Sequence, residues 1–265
     1  MTADDIVTPR LVAEYEATLA PTLAKVPAGT APLALHWCLA PPITPLAAIG
    51  ADGHAAKGEF LPPVPLPRRM WAGGRVSTHA PLLVGETVQR RSVIADVAVK
   101  QGRTGTLCFV SVDHEYATPR GVALTERHDI VYREAVDNAA AAKPEPSPEP
   151  READLTWQIE ATPTLLFRYS AMTFNGHRIH YDQPYVTGVE GYPGLVVHGP
   201  MQASLMFNLA AELGGTVPTD FRYRGLSPLF SGQRFLVRAV RRPDGGIRCW
   251  TENAAGRICM EAEVD

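Results

Sequence analysis

The stretch FNGHRIHYD, residues 174–182, gathers two histidines, an asparagine, an arginine and an aspartate between apolar neighbours. Three kinds of chemistry fit these residue types. His177 and His180 are three apart and would share a face of a helix, so with Asp182 or His198 they could form a metal set. A structural zinc site needs four ligands in tight geometry, and no cysteine lies nearby, so no metal is expected. A second reading has the cluster capping secondary structure with hydrogen bonds. Asp182 is assigned to that role, and His177 fits either use. In the third reading His180 is an acid/base, because an imidazole titrates near working pH. Its companion is LVVHGPM, residues 195–201, where Gly199 opens an apolar helix. The free N–H groups of a helix start are outward-pointing donors, and glycine there lets a ligand approach the backbone closely. Such donors hold the oxygen of a thioester as it becomes an enolate. One donor typically contributes on the order of 10²–10³ in rate and a general base about 10²–10⁴.

The elements around these motifs set the fold class. MQASLMFNLAAELGG carries Leu205, Leu209 and Leu213 at i+4 spacing, widened by Ala203, Phe207 and Ala210. A helix over about residues 200–213 follows, apolar on most faces, with Pro200 in its first turn and Gly214-Gly215 as its stop. Residues 164–173 read as a strand leading into the polar loop. After the helix come apolar-alternating runs at 233–242, from 247 and from 257, with a PDGG turn after the first. Upstream, PLLVG at 81–85 recurs as PLFSG at 228–232. Three strand-like runs also follow the first copy, separated by KQGRTG and TPRG. The chain thus reads as a duplicated antiparallel unit. A sheet curled around one long helix is a hot dog, so the expected fold is α+β, a double hot dog with each sheet wrapped around a central helix. The segment DNAAAAKPEPSPEPREAD has almost no large apolar side chains and reads as a linker. The expected domains are residues 1–136, a linker over 137–153, and 154–265.

Composition narrows the function class. The chain has 265 residues, 45% hydrophobic and 20% charged, with net charge −3, the range of a globular protein with a sizeable core. No basic stripe with interleaved aromatics suggests nucleic acid. No apolar run is long enough to span a bilayer, and the N-terminus MTADDIVTPR lacks the apolar core of a secretory signal. Cys38, Cys108, Cys249 and Cys259 show no paired spacing, which fits a reducing cytoplasm.

The segment RYSAMTFNGHRIHYDQPYVTGVEGYPGLVVHGPMQASL, residues 168–205, resembles the MaoC-like hydratase/dehydratase family, specifically its two-hot-dog branch of type-2 hydroxyacyl-thioester dehydratases and mesaconyl- and itaconyl-CoA hydratases. PPVPLPRRMWAGGRVSTHAPLLVGETV, residues 62–88, resembles that branch's N-terminal hot dog. The family's hydratase loop reads D-x-N-P-x-H-x-D, and its first aspartate and histidine work on one water. Laid on this chain, the histidine is His180, the last aspartate Asp182, the internal asparagine His177, and the catalytic aspartate Asn175. Asparagine cannot exchange a proton at neutral pH. Asn175 therefore orients water or substrate, and His180 works alone or with His177. The family's helix start falls on His198-Gly199, which implies the Gly199 N–H as oxyanion donor. The N-terminal half has no counterpart of the polar loop, and the resemblance implies that it has lost catalysis and serves to enclose the acyl chain and CoA, leaving the C-terminal half as the catalytic one.

The resemblance implies a hydro-lyase acting on an α,β-unsaturated acyl-CoA, with CoA part of the substrate, no separate cofactor, and a homodimer. The favoured substrate is a C5-dicarboxylyl-CoA, itaconyl- or mesaconyl-CoA giving citramalyl-CoA. A dicarboxylic acyl chain needs a cation for its free carboxylate, and arginine's fork suits it. Arg168, Arg178, Arg222 and Arg224 lie near the motifs; Arg178 and Arg224, with His177 and His198, are the expected substrate-binding side chains, and contact with CoA phosphates or a pair with Asp182 are the alternatives for Arg178. Solvent is the default for Arg222 and Arg224, and His36-Trp37 is expected to pack in the core. The alternatives are an (R)-3-hydroxyacyl-CoA or acyl-carrier-protein dehydratase, a hot-dog thioesterase, and a non-catalytic acyl-thioester binder.

Overall fold

A computed structural model describes residues 1–102, 105–134 and 151–265. Most of the expected linker lies outside the described residues. The two halves repeat one plan. The first runs β1 (Thr2–Ile6), α1 (Pro9–Leu19), a long excursion, then β2 (Arg68–Thr78), β3 (Thr87–Gly102), β4 (Gly105–Thr118) and β5 (Gly121–Arg133). The second runs β6 (Leu155–Glu160), α2 (Pro163–Met172), α3 (Gln183–Gly188), α4 (Gly199–Gly214), then β7 (Asp220–Gly225), β8 (Arg234–Arg241), β9 (Ile247–Glu252) and β10 (Ile258–Val264).

The runs expected after PLLVG and PLFSG are β3–β5 and β8–β10. The repeated glycines make the same bonds: Gly85 N–H donates to Val7 O at 2.7 Å and Gly232 N–H to Ala161 O at 2.9 Å. The sheet order β1-β3-β4-β5-β2-β7-β10-β9-β8-β6 is symmetric about its centre. There β2 pairs antiparallel with β7, Gly73 opposite Arg224 through Ser77 opposite Asp220. The two expected sheets are therefore one ten-stranded sheet, which gives the halves a common core.

Two local expectations change. Residues 164–173 are helical. Thr162 caps α2 by accepting from Leu165 N–H at 3.1 Å, and Pro163 occupies its first turn. Leu166, Tyr169 and Ser170 are then buried at helical spacing. The same Thr-Pro start opens α1 at Thr8-Pro9. In the second half α4 is the expected central helix. Every residue from Met201 to Ala211 is buried, it packs on β6 through β10, and Gly215 closes it with φ 75°. The first half has only a 3-10 turn, Leu35–Cys38, at the equivalent place. Pro41, Pro42 and Pro45 follow, and proline cannot continue a helix. The chain instead runs on as an excursion toward the other half.

In β10, Met260, Ala262 and Val264 face inward as the alternation predicts. A bulge between Ile258 and Met260 also buries Cys259. All four cysteines are free and buried. No helix among the described residues is long and apolar enough to cross a membrane.

Candidate functional site

The polar loop leaves the end of α2 and is held by its own backbone. Phe174 takes φ 50°, Asn175 N–H donates to Ser170 O at 2.8 Å, and Asn175 Oδ1 accepts from His177 N–H at 3.0 Å. Asp182 accepts from Tyr185 N–H at 3.1 Å, capping α3, and pairs with Arg178 Nη2 at 2.8 Å. Asp182 is thus a cap, as expected.

The loop's histidines belong to a row of four imidazoles. His180 and His198 stack with centroids 3.6 Å apart and planes 19° apart. His177 meets His180 edge-on at 5.4 Å and lies 4.0 Å from His54. At one end Ser170 Oγ bonds His198 Nε2 at 2.8 Å. At the other, His54 Nδ1 bonds Asp52 Oδ2 at 3.0 Å, and the His54 N–H donates to Asp52 Oδ1 at 3.0 Å. His180 Nδ1 lies 2.7 Å from Val196 O. A carbonyl can only accept, so Nδ1 carries the proton and Nε2 is the basic nitrogen.

Burial sets the charge state. It pushes the His180 ring down to about 4 and His198 well below the ordinary histidine range. Burial, then the neighbouring His54 and His180, hold His177 down. Burial also lowers His54 against the opposing pull of Asp52. For Asp52 burial alone would raise the carboxyl, but the hydrogen bonds from His54 help outweigh it, and the group is held low. At neutral pH the row is therefore uncharged bases with one carboxylate at its end.

Asp52 and His54 are not among the residues expected from sequence. They sit on the N-terminal excursion, in the turn ADGH at 51–54. Their signal is local: an aspartate followed by glycine, with Gly53 at φ 87°, marks a tight turn. What it touches lies beyond any sequence window. Asp52, His54 and His177 are the set of three among the described residues whose donor atoms lie within 4.8 Å of one another. The metal set considered from sequence around His177, His180, Asp182 and His198 does not assemble, because Asp182 is committed to Arg178 and α3.

The start of α4 completes the site. Gly199 lines the same cleft as His180. The neighbour that demands glycine at this position is protein, not ligand: a Cβ would stand 2.5 Å from Trp71 Cε3. Trp71, on β2, is itself stacked on Tyr223 at 4.6 Å. The cleft, about 2260 Å³, is lined by both halves, including Ile43, His54, Trp71, Asn175, His180 and Gly199.

The arginines expected from sequence to meet substrate do not line it. Arg178 gives Nε and Nη2 to Asp182 and Nη1 to Ala51 O at 3.0 Å, with its guanidinium 4.0 Å above the Tyr185 ring. Arg224 is 70% exposed and pairs with Glu261 at 2.7 Å. Arg222 pairs with Asp220 and Asp265, and Arg168 reaches Ala17 O. Their carboxylate and carbonyl partners account for this: Asp182 and Asp220 lie close by in sequence, while Ala51, Glu261, Asp265 and Ala17 do not. Arg69 of β2 lines the cleft instead and makes no ion pair among the described residues. Its charge helps hold down His54 and His177. His36-Trp37 packs in the core as expected, but around a buried carboxylate. Trp37 Nε1 donates to Glu126 Oε1 at 2.5 Å, which His128 Nε2 also approaches at 2.5 Å.

A family model described as hydroxyacyl-thioester dehydratase type 2 matches residues 34–231. The mesaconyl-C(4)-CoA hydratase of Chloroflexus aurantiacus is 40% identical over 263 residues, covering 99% of this chain and 93% of that protein. The mitochondrial hydroxyacyl-thioester dehydratase type 2 of Schizosaccharomyces pombe is 25% identical over 223 residues, covering 73% and 72%. In fold, the chain matches HtdX of Mycobacterium tuberculosis with TM-score 0.70 at 18% identity, covering 99% and 98% of the two chains. It also matches a MaoC-like dehydratase with TM-score 0.69 at 15% identity, covering 100% and 96%.

Proposed function

The chain belongs to the hydroxyacyl-thioester dehydratase type 2 family and is a hydro-lyase, and from that premise we propose that it adds water reversibly across the double bond of an α,β-unsaturated acyl-CoA. The observation that carries this reading is His180. Its Nδ1–H is fixed on Val196 O, its basic Nε2 stays unprotonated at neutral pH, and it stacks on the residue before Gly199. His180 Nε2 takes one proton from water as the water oxygen bonds the β-carbon. The π electron pair moves through the α-carbon onto the thioester oxygen, where the Gly199 N–H holds the charge. The imidazolium returns its proton to the α-carbon, and the second water proton stays on the product hydroxyl. Asn175 shapes the loop through its bond to His177 N–H. His198 stacks on the His180 ring and His177 meets it edge-on, which together hold its plane. No separate cofactor enters these steps. The N-terminal half supplies one wall of the cleft and encloses the acyl chain and CoA.

For the acyl group we favour a C5-dicarboxylyl-CoA. Support comes from the 40% identical relative, named for mesaconyl-C(4)-CoA, and from Arg69. Its guanidinium is one of several cleft cations and acts on His54 and His177, so it is within reach of a free carboxylate beside the imidazole row. The test is to incubate the protein with crotonyl-, itaconyl- and mesaconyl-C4-CoA and weigh the products. Gain of one water on an intact CoA ester for a dicarboxylyl substrate is expected. Preference for crotonyl-CoA would move the reading to straight-chain 3-hydroxyacyl thioesters, and release of free CoA would make the protein a thioesterase.

A further inference from the structure

The excursion of the N-terminal half does more than wall the cleft. Its turn at 50–54 is tied internally by Gly53 N–H to Gly50 O at 2.9 Å and Gly50 N–H to His54 O at 2.7 Å. It is then seated on the polar loop of the other half. Arg178 N–H donates to Asp52 O at 2.9 Å, and Arg178 Nη1 donates to Ala51 O at 3.0 Å. Gly53 and Gly176 meet backbone to backbone. A Cβ on Gly53 would fall on the carbonyl of Gly176, and one on Gly176 would stand 2.8 Å from Gly53 O. Backbone contact this close, at two glycines, fixes where the turn sits. Its consequence is the place of two side chains. His54 lies 4.0 Å from the His177 ring, in the cleft that His180 and Gly199 line. Asp52 holds His54 Nδ1, which leaves Nε2 as the free nitrogen, with no hydrogen-bond partner among the described residues.

This arrangement meets a deficit in the polar loop. The residue at position 175 cannot exchange a proton, and its Oδ1 already serves His177 N–H. The loop's one carboxylate, Asp182, is bound by Arg178 and the α3 backbone. Among the described residues, the carboxylate joined to the imidazole row is Asp52.

We propose that Asp52 and His54, brought across from the N-terminal half, are the second proton-handling group of the hydration site, in place of a carboxylate at position 175. The proposal rests on the hydratase reading. Water is held between two basic nitrogens, His180 Nε2 and His54 Nε2. His180 takes the proton that later reaches the α-carbon. His54 accepts a hydrogen bond from the other O–H, which stays on the product, and so aims the water oxygen at the β-carbon. Asp52 acts through His54. By holding Nδ1–H it presents Nε2 as the acceptor, as a carboxylate does for the imidazole of a catalytic triad. In the dehydration direction the same contacts steady the departing hydroxyl. Arg178, expected from sequence to meet substrate, becomes the clamp that joins the two halves of the site.

The test uses the full chain and the acyl-CoA that the wild type hydrates best. His54→Asn and Asp52→Asn are measured beside wild type for kcat and KM, with thermal unfolding as the fold control. We expect kcat to fall by about 10²-fold or more for His54→Asn, by about 10-fold for Asp52→Asn, and KM to stay within about 3-fold. His54→Gln, closer in volume, is the second variant if His54→Asn unfolds. In the His54→Asn background, Asn175→Asp is expected to restore at least about 10-fold, which a purely structural role for His54 would not allow. Wild-type-like kcat in His54→Asn, or a KM rise with kcat held, would overturn the proposal. So would loss of wild-type activity on chelation with recovery on added divalent metal, because Asp52, His54 and His177 would then be ligands. A wild type that adds no water to any substrate refutes the hydratase reading itself. A wild type that hydrates beside an equally active His54→Asn refutes this inference alone.

Discussion

The steric fit at the start of α4 allows the oxyanion assignment to be tested by adding one methyl group. In Gly199→Ala the new Cβ would lie 2.5 Å from Trp71 Cε3 and 3.1 Å from Cζ3. Carbon atoms in contact sit about 3.5–4.0 Å apart, so roughly 1 Å of movement is required. The indole cannot easily retreat. It is stacked on Tyr223 at 4.6 Å and held edge-on by His128 at 5.7 Å and Trp37 at 6.0 Å. Trp37 is in turn bonded to buried Glu126. The displacement therefore falls on the helix start, which carries the Gly199 N–H. An oxyanion donor must lie about 2.7–3.1 Å from its target, so a shift of that size removes most of its effect. The expected result is a fall in kcat of about 10²–10³ with KM within about 3-fold. Stability should drop by about 1–3 kcal/mol, the usual cost of overpacking. Steady-state hydration kinetics and a urea titration measure both. Trp71→Leu in the same chain removes the ring atoms that clash and is expected to recover much of the kcat. A Gly199→Ala enzyme with kcat near wild type would show that this N–H does not hold the developing charge. A double variant no better than the single would show that Trp71 is not the obstacle.

Other expectations follow from the same geometry. His180→Ala should lower kcat by about 10²–10⁴ with the fold intact, and Asn175→Ala should cost less, because Asn175 only shapes the loop; the reverse order in a rate assay would contradict both roles. A base must be neutral to accept a proton. With burial holding His180 down to about 4 and lowering His54, His177 and His198 around it, the acid limb of kcat/KM should lie well below the ordinary histidine range, with the His180 step near 4. A limb near 6.5 would mean a more exposed base. The same shift acts on stability. Folded His180 and His36, each pushed to about 4 by burial, bind fewer protons between about pH 4 and 6.5 than the unfolded chain does. Stability is thus full above that window and is lost as pH falls through it, which thermal melts at stepped pH would record. Arg69→Gln should raise KM for a dicarboxylyl-CoA at least about 10-fold while leaving crotonyl-CoA little changed; equal effects on both would place Arg69 on CoA instead.

The sequence is most legible where one segment decides its own structure. Period-two runs mark β3–β5 and β8–β10, and leucines at i+4 mark α4. Residues 164–173 read wrongly as a strand because Leu, Phe and Tyr suit one, while the deciding signal is the Thr162-Pro163 start at their edge. The polar loop can be read as chemistry, since histidines between apolar flanks carry meaning by themselves. Its partner cannot. His54 comes within 4.0 Å of His177 through a turn seated by two glycines and by Arg178, and no periodicity spans such a distance in the chain. The arginines mislead because other partners claim them: Arg178 is taken by nearby Asp182 and distant Ala51, and Arg224 by Glu261. Duplication explains how the site came to be divided. Both halves keep the Thr-Pro helix, the glycine turn and five strands in mirrored order. One half keeps the long helix, whose start lines the cleft. In the other, prolines stop that helix after one turn, and the chain so released is long enough to reach across and deliver Asp52 and His54. The absence of the polar loop from the N-terminal half is therefore no sign that this half stands outside the chemistry. With Asp52 and His54 in the proton-handling role, each half supplies what the other has lost.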